Sequence, residues 1–398
     1  MTGRPTTWAT NGVVASPHYL ASQAGLRVLQ EGGNAVDAAI AANAVLNVVY
    51  PHQCHIGGDL FAIVRDPDDG QLHGLNASGP AATGMTIDLM RGRGHDEIPD
   101  RGALAVTVPG TVGGWQALME RFGTVGLDRA LAAATTYARD GYPAASNFIQ
   151  ARDRLRSVIE ANEAAAAVFL AGDRAGDLMR QPALAETMRR VGEEGDQGFY
   201  HGPVANDIVR TLQSLGSPMT HDDLASYEPE WVTPISSNYR GCELIELPPN
   251  TQGPTVQLMA NIVEGLPVPD LGHTTGAGVH HWVETKLRAF AERDRYIADP
   301  RFGDVPLERF LDKAHAARLR TTIDPERAST GTGNFQDGDT IYLCAVDRNG
   351  MAVSLIQSIY NNFGSGVVAP ESGILFHNRG KGFTLDPSHP NALAPGKR

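Results

Sequence analysis

Cysteine is scarce in this 398-residue chain: Cys54, Cys242 and Cys344 stand far apart. Three such residues offer no disulfide framework and no zinc-ligand spacing. Basic charge is short as well, with 33 Lys+Arg against 45 Asp+Glu and a formal net charge of −12. That deficit argues against nucleic acid as a partner, because such binding rests on cations that neutralise phosphates. No apolar run approaches the roughly 20 residues that span a bilayer, so no membrane partner is expected. The first residues, Met1 to Trp8, lack the apolar centre of a secretion signal, and the expected location is cytoplasmic. What remains is ordinary globular material, 42% hydrophobic and 20% charged, with enough apolar side chains for a sizeable core.

Local patterns divide the chain. Val13-Val14-Ala15 reads as a short strand, and Leu20 to Leu29 has helical spacing before Gly32-Gly33. Asn34 can cap a second helix over Ala35–Val49, whose alanine content predicts burial on most sides. Leu60–Val64 and Leu72–Leu75 flank the turn Pro67-Asp68-Asp69-Gly70, as in a β-hairpin. From about 112 to 230 the chain reads mostly helical, with helices near 113–122, 127–140, 147–160, 183–193 and 203–214. Strand character returns at Thr233–Tyr239 and Cys242–Glu246, and a long helix follows over 276–298. The order mixes helices and strands without regular βα alternation, which predicts the α+β class.

One stretch carries chemistry. Thr340 heads the alternating run Ile341 to Asp347, preceded by the Gly/Asp-rich residues 329–339. Arg348-Asn349-Gly350 then turns into a second strand-like run, Met351 to Ile356. A threonine freed at the head of such a hairpin would carry its own base, the new α-amino group, as in N-terminal nucleophile hydrolases.

The surroundings strengthen that reading. Gly32-Gly33-Asn34-Ala35-Val36-Asp37-Ala38-Ala39, Pro51-His52 with Ile56-Gly57-Gly58, Ala105 to Val112, His281 to Pro300, and residues 340–378 together resemble the γ-glutamyltransferase family over essentially the whole chain. The resemblance implies a four-layer αββα fold with a helical large-subunit region. It implies self-cleavage between Asp339 and Thr340, separating a large-subunit region, 1–339, from the start of a small-subunit region, 340–398. The two would remain as subunits of one precursor, with a homodimer of such pairs left open. Thr340 would be the nucleophile and Ser358 the hydroxyl that orients it. The substrate would be a small amide, and no cofactor or metal is implied. Only 59 residues run from Thr340 to Arg398, whereas the family's small subunit is longer and supplies the oxyanion-hole glycines. The chain is therefore expected to be truncated.

The departures bear on substrate. Ser78 stands about where γ-glutamyl enzymes place the arginine that grips the α-carboxylate, and Gly382 replaces their aspartate for the α-amino group. Tyr360 replaces an asparagine near the nucleophile. Losing both ends of an amino-acid clamp favours relatives that cleave other amides, such as oxamate amidohydrolase or acylase-type enzymes. Arg379 and Lys381 would then face an anionic substrate. Ser78, Tyr360, Asn378, Arg379 and Gly382 form the expected substrate-contacting set. Two rivals remain: a true γ-glutamyltransferase or glutathione hydrolase, and an unprocessed scaffold. His52-Gln53-Cys54-His55 fits no standard metal spacing, and His280-His281 points to different helix faces. Gly331-Thr332-Gly333 lacks the lysine of a phosphate loop.

Overall fold

The computed structural model describes residues 6–272, 274–329 and 340–398. Asp339 and the Gly331-Thr332-Gly333 segment lie outside these residues. The chain forms two compact units, the first built from 1–231, 337–383 and 394–396, the second from 232–336, 384–393 and 397–398. These spatial units are a different division from the expected cleavage products, 1–339 and 340–398. The strand beginning at Ile341 belongs with strands from the N-terminal part of the chain.

The first unit holds a six-stranded sheet. Its order is Gly12–Ala15, Ile341–Asp347, Ala352–Ser358, Asp59–Arg65, Leu72–Ala77 and Glu230–Val232. The first five strands pair antiparallel with their neighbours. Strict alternation sets the faces. Leu343, Ala345, Val353, Leu355, Leu60, Ala62, Val64 and Leu75 point into the core.

The helix Ala35–Val49 packs on that face, and every one of its residues is buried. Small alanines allow the close approach. Asn34 starts the helix by accepting the Val36 and Asp37 N–H groups, while Asp37 accepts the Asn34 N–H, closing a capping box. Beyond its first turn the helix carries two polar residues, Asn43 and Asn47, and both reach the hairpin of Ile341–Asp347 and Ala352–Ser358 through Gln357. Its Oε1 accepts from Asn43 Nδ2 (2.8 Å) and Asn47 Nδ2 (2.9 Å). Its Nε2 donates to Asn47 Oδ1 (2.8 Å) and the His55 carbonyl (2.7 Å). A buried network with its groups paired in this way fixes the hairpin against the helix.

The opposite face is different. Tyr342, Ile356 and Val13 are exposed there, beside the partly buried Phe61, Ile63, Cys344 and Val346. In the expected αββα sandwich this is the face turned toward a second sheet. Among the described residues the remaining sheets are two-stranded, Tyr142–Pro143 with Leu178–Met179 and Ile235–Tyr239 with Cys242–Glu246. The described chain thus supplies one broad sheet and its helical layer.

The second unit centres on Leu258, Ile262, Ala289, Phe310 and Ala316. Its helices include Gly253–Glu264, Gly276–Tyr296 and Lys313–Arg320. The first and third of these are absent from the sequence reading. The helix read over 147–160 is broken at Leu155 into Ser146–Arg154 and Arg156–Glu160.

Candidate active site

The site forms where three segments meet at one end of the sheet. Thr340 is exposed immediately before the strand Ile341–Asp347. Its Oγ1 donates to Ser358 Oγ at 3.0 Å, at the far end of the adjoining strand. The hairpin register produces this meeting, since Gln357 pairs with Ile341 and the next residue on each strand lies at the same edge. Ser358 Oγ also accepts the Tyr360 N–H at 2.8 Å. The sequence expectation that Ser358 stands beside Thr340 agrees with this geometry.

Tyr360 has φ of 75° and Phe363 has φ of 59°. Non-glycine residues in this region carry strain of about 1–3 kcal/mol each, which persists only where surroundings hold it. Here the turn is held on several sides. The Asn361 N–H donates to Asn378 Oδ1 (3.1 Å), the Phe363 N–H donates to the His52 carbonyl (2.9 Å), and Arg101 Nη1 donates to the Asn362 carbonyl (2.7 Å). Asn378 was expected to contact substrate. It is instead buried, and its Nδ2 donates to the Asp100 carbonyl (2.7 Å), so its carboxamide joins two loops.

Arg379 lies over the Tyr360 ring, with the guanidinium carbon 5.0 Å from the centroid. Its Nε donates to Asp59 Oδ2 at 2.9 Å. Among the described residues no protein acceptor meets its terminal Nη groups, and the side chain is 29% exposed. Lys381 does not share this freedom. It lies between Glu97 (3.2 Å) and Asp100 (3.0 Å) and donates to the Ile98 carbonyl, so the expectation that it faces an anionic substrate is corrected.

Asp59 escaped the sequence reading. It is fully buried, and Oδ1 accepts the Gly79 N–H at 3.1 Å while His377 Nδ1 lies 3.3 Å from Oδ2. Burial pushes its carboxyl pKa up, but His377, Arg379 and the Gly79 N–H outweigh that and hold it below the ordinary value. The available signal was a lone acid opening an otherwise apolar strand directly after Gly57-Gly58.

Ser78 is buried, with its Oγ donating to Asn76 Oδ1 at 2.7 Å. It sits next to Gly79, whose Cβ, were there one, would stand 1.6 Å from the Val108 carbonyl oxygen. The expected Ser78 region thus reaches the site through Asp59. Gly382 ends the short 3-10 turn Arg379–Gly382, and among the described residues a Cβ there would meet nothing within 4 Å.

His52 and His55 are buried and face hydrophobic or backbone groups. Burial pushes His52 down to about 3, helped by the charges of His18 and Arg154, and burial alone does the same to His55. Among the described residues the grouping with metal-ligand proximity is elsewhere, at the exposed Asp69 and the half-buried Asp66 and His73. Arg121 Nη2 donates to His73 Nδ1 (2.8 Å) and leaves Nε2 as the N–H that faces Asp69 (2.9 Å), so the imidazole has no lone pair for an ion.

A hydroxyl at the head of a hairpin, hydrogen-bonded to a second hydroxyl at the end of the partner strand, is the arrangement expected of an N-terminal nucleophile hydrolase, and the solved structures that resemble this chain share that fold. The family model for Gamma-glutamyltranspeptidase matches residues 21–398, and the chain belongs to that family. It is 39% identical over 393 residues to the Glutathione hydrolase-like YwrD proenzyme of Bacillus subtilis, covering 98% of this chain and 74% of that protein. It is also 39% identical over 399 residues to the Oxamate amidohydrolase proenzyme of Klebsiella pneumoniae, covering 98% and 75%. The crystal structure of cephalosporin acylase from Bacillus halodurans superposes with a TM-score of 0.90 at 37% identity, covering 100% of this chain and 75% of that one. The chain spans about three-quarters of these relatives. It is an enzyme of the amidohydrolase and acyltransferase type.

Proposed function

We propose that this chain is a proenzyme that cleaves itself before Thr340, and that the freed threonine hydrolyses a small amide bearing a carboxylate. In the first step Thr340 Oγ attacks the Asp339 carbonyl carbon, the peptide nitrogen leaves as the Thr340 amine, and water hydrolyses the resulting ester. The new amine has an ordinary pKa of about 7.7–8.0, suited to act as a base near neutral pH. It takes the hydroxyl proton as Oγ attacks the substrate amide, the amine product leaves, and water resolves the acyl-threonine. Ser358 orients the nucleophile.

The observation that carries this reading is the unbroken connection from Thr340 to Arg379. Ser358 touches both the nucleophile and the Tyr360 backbone, and Tyr360 carries the guanidinium above its ring. A guanidinium engaged through Nε still presents two Nη donors, a pair that matches a carboxylate. Without an acidic side chain at Gly382, an α-amino group has no counterpart there. A short oxo-acid amide of the oxamate kind fits this distribution better than a γ-glutamyl group.

The test compares ammonia release from oxamate and related carboxylated amides with glutamate release from a γ-glutamyl anilide. The reading expects turnover of the first group to dominate. Activity confined to the γ-glutamyl compound overturns it.

A further inference from the structure

We infer that Asp59 is a positioning residue for substrate recognition: it fixes the guanidinium of Arg379 relative to the nucleophile, and so sets the preference for carboxylated amides. This rests on the carboxylate-binding reading of Arg379 given above.

Four observations converge on it. Asp59 is directly opposite Ser358 in the sheet, so its backbone is registered to the residue that aligns Thr340. Its Oδ1 is held by the Gly79 N–H, which leaves Oδ2 to face Arg379. Behind it stands His377, itself buried, whose Nε2 lies 3.0 Å from the Thr107 carbonyl. Finally, Arg379 is attached through Nε, not through the Nη pair, so the counter-ion orients the fork without filling it.

An arginine side chain on a short, half-buried turn has several rotatable bonds and would otherwise sample many positions. A buried carboxylate on a rigid strand removes that freedom before substrate arrives, which is the general advantage of supporting a binding group from a fixed element. Asp59 cannot touch the substrate itself, because it has no exposed surface.

The experiment measures KM and kcat of the self-processed protein for a carboxylated amide and for a neutral amide of the same length. Wild type, Asp59→Asn and Arg379→Gln are run side by side. Asp59→Asn keeps an oxygen for the Gly79 N–H and removes the charge that holds Arg379. Its expected result is a rise in KM for the carboxylated amide of about 10-fold or more, since misplacement of a binding group by about 1 Å costs up to about 100-fold. Its kcat on that substrate should stay within about 3-fold, and the neutral amide should show no matching rise in KM.

Equal losses on both substrates would assign Asp59 to the fold alone and overturn the inference. If Arg379→Gln abolishes the preference for the carboxylated amide while Asp59→Asn retains it, the inference about Asp59 fails and the substrate reading stands. If Arg379→Gln itself leaves the preference intact, both fall. Should Asp59→Asn not accumulate as folded protein, Asp59→Glu keeps the counter-charge but moves it by one methylene. The same selective rise in KM is expected of it, and an unchanged KM would overturn the inference.

Discussion

Thr340 Oγ1 and Ser358 Oγ lie 3.0 Å apart, joined across the open ends of two paired strands. The contact depends on a register that a one-residue slip would destroy, and in the proposed reaction it orients the attacking hydroxyl. Thr340→Ala should therefore abolish both self-cleavage and amide hydrolysis. Thr340→Ser should keep both at reduced rates, since it retains a hydroxyl but loses the methyl that limits its rotamers. Denaturing electrophoresis gives the readout: the processed wild type should show a band of roughly 36 kDa, in proportion to 339 of 398 residues of a 42.5 kDa chain.

Ser358→Ala removes an acceptor from Thr340 and from the Tyr360 N–H together. The unpaired N–H and the freed hydroxyl predict a loss of about 1–2 kcal/mol in stability and of about 10- to 100-fold in kcat. Ser358→Thr should recover most of the rate, because the hydroxyl returns. Steady-state kinetics with thermal melts separate the two effects. An Ala variant with wild-type kcat would remove Ser358 from the mechanism.

Asn47 tests the join between the sheet and the buried helix. Asn47→Ala deletes both partners it offers to Gln357 and leaves that carboxamide with fewer bonds in a fully buried place. A cost of about 1–3 kcal/mol follows from stranding buried polar groups. Asn47→Leu should be at least as damaging, because a larger apolar group meets the same polar surroundings. Urea denaturation checks both, with the slope of the transition unchanged.

The histidines make stability depend on pH. Unfolded His52 and His55 would take up protons near pH 6.5, whereas the folded residues are pushed down to about 3. The unfolded chain thus binds more protons across that window. Stability is fully present above about pH 6.5 and falls as pH drops toward 3, by at most about 1.4 kcal/mol per pH unit for each histidine. Asp59 works in the same direction only at lower pH: its depressed carboxyl stabilises the fold above the unfolded value of about 3.9 and loses that effect as pH falls through its folded value. Denaturant melts between pH 5 and 7.5 should show the histidine slope, and His55→Gln should flatten it by about one proton.

Much of this architecture was legible because it lies in local patterns. The alternation after Thr340, the alanine-rich helix behind Asn34 and the Pro67–Gly70 turn each write their structure into adjacent residues. The pairing of Thr340 with Ser358 was legible only through the family resemblance, which implies a hydroxyl beside the threonine; the hairpin register then accounts for it. Asp59 showed only as a lone acid opening an apolar strand, and its meaning depends on Arg379, 320 positions away. Asn378 misled for a related reason: nothing local tells whether a carboxamide faces a ligand or two backbone loops. Lys381 looked like a free cation until the fold placed Glu97 and Asp100 beside it. The spatial units likewise ignore chain order, because strand partners come from opposite ends of the sequence.

Two glycines bracket the substrate question and should behave oppositely. Gly79→Ala would drive a methyl against the Val108 carbonyl and disturb the N–H that holds Asp59. It is expected to cost about 1–3 kcal/mol or more. Gly382→Asp meets no described residue within 4 Å of its Cβ, and its backbone is not in the left-handed region, so stability should change by no more than about 0.5 kcal/mol. Its effect should fall on the reaction instead. A carboxylate on the same short turn as Arg379 would compete for the guanidinium and repel an anionic substrate, raising KM for a carboxylated amide while self-cleavage proceeds normally. Thermal melts, the two-band gel and KM measured on one preparation of Gly382→Asp give all three readings. An unchanged KM would mean that substrate does not approach the Arg379–Gly382 turn.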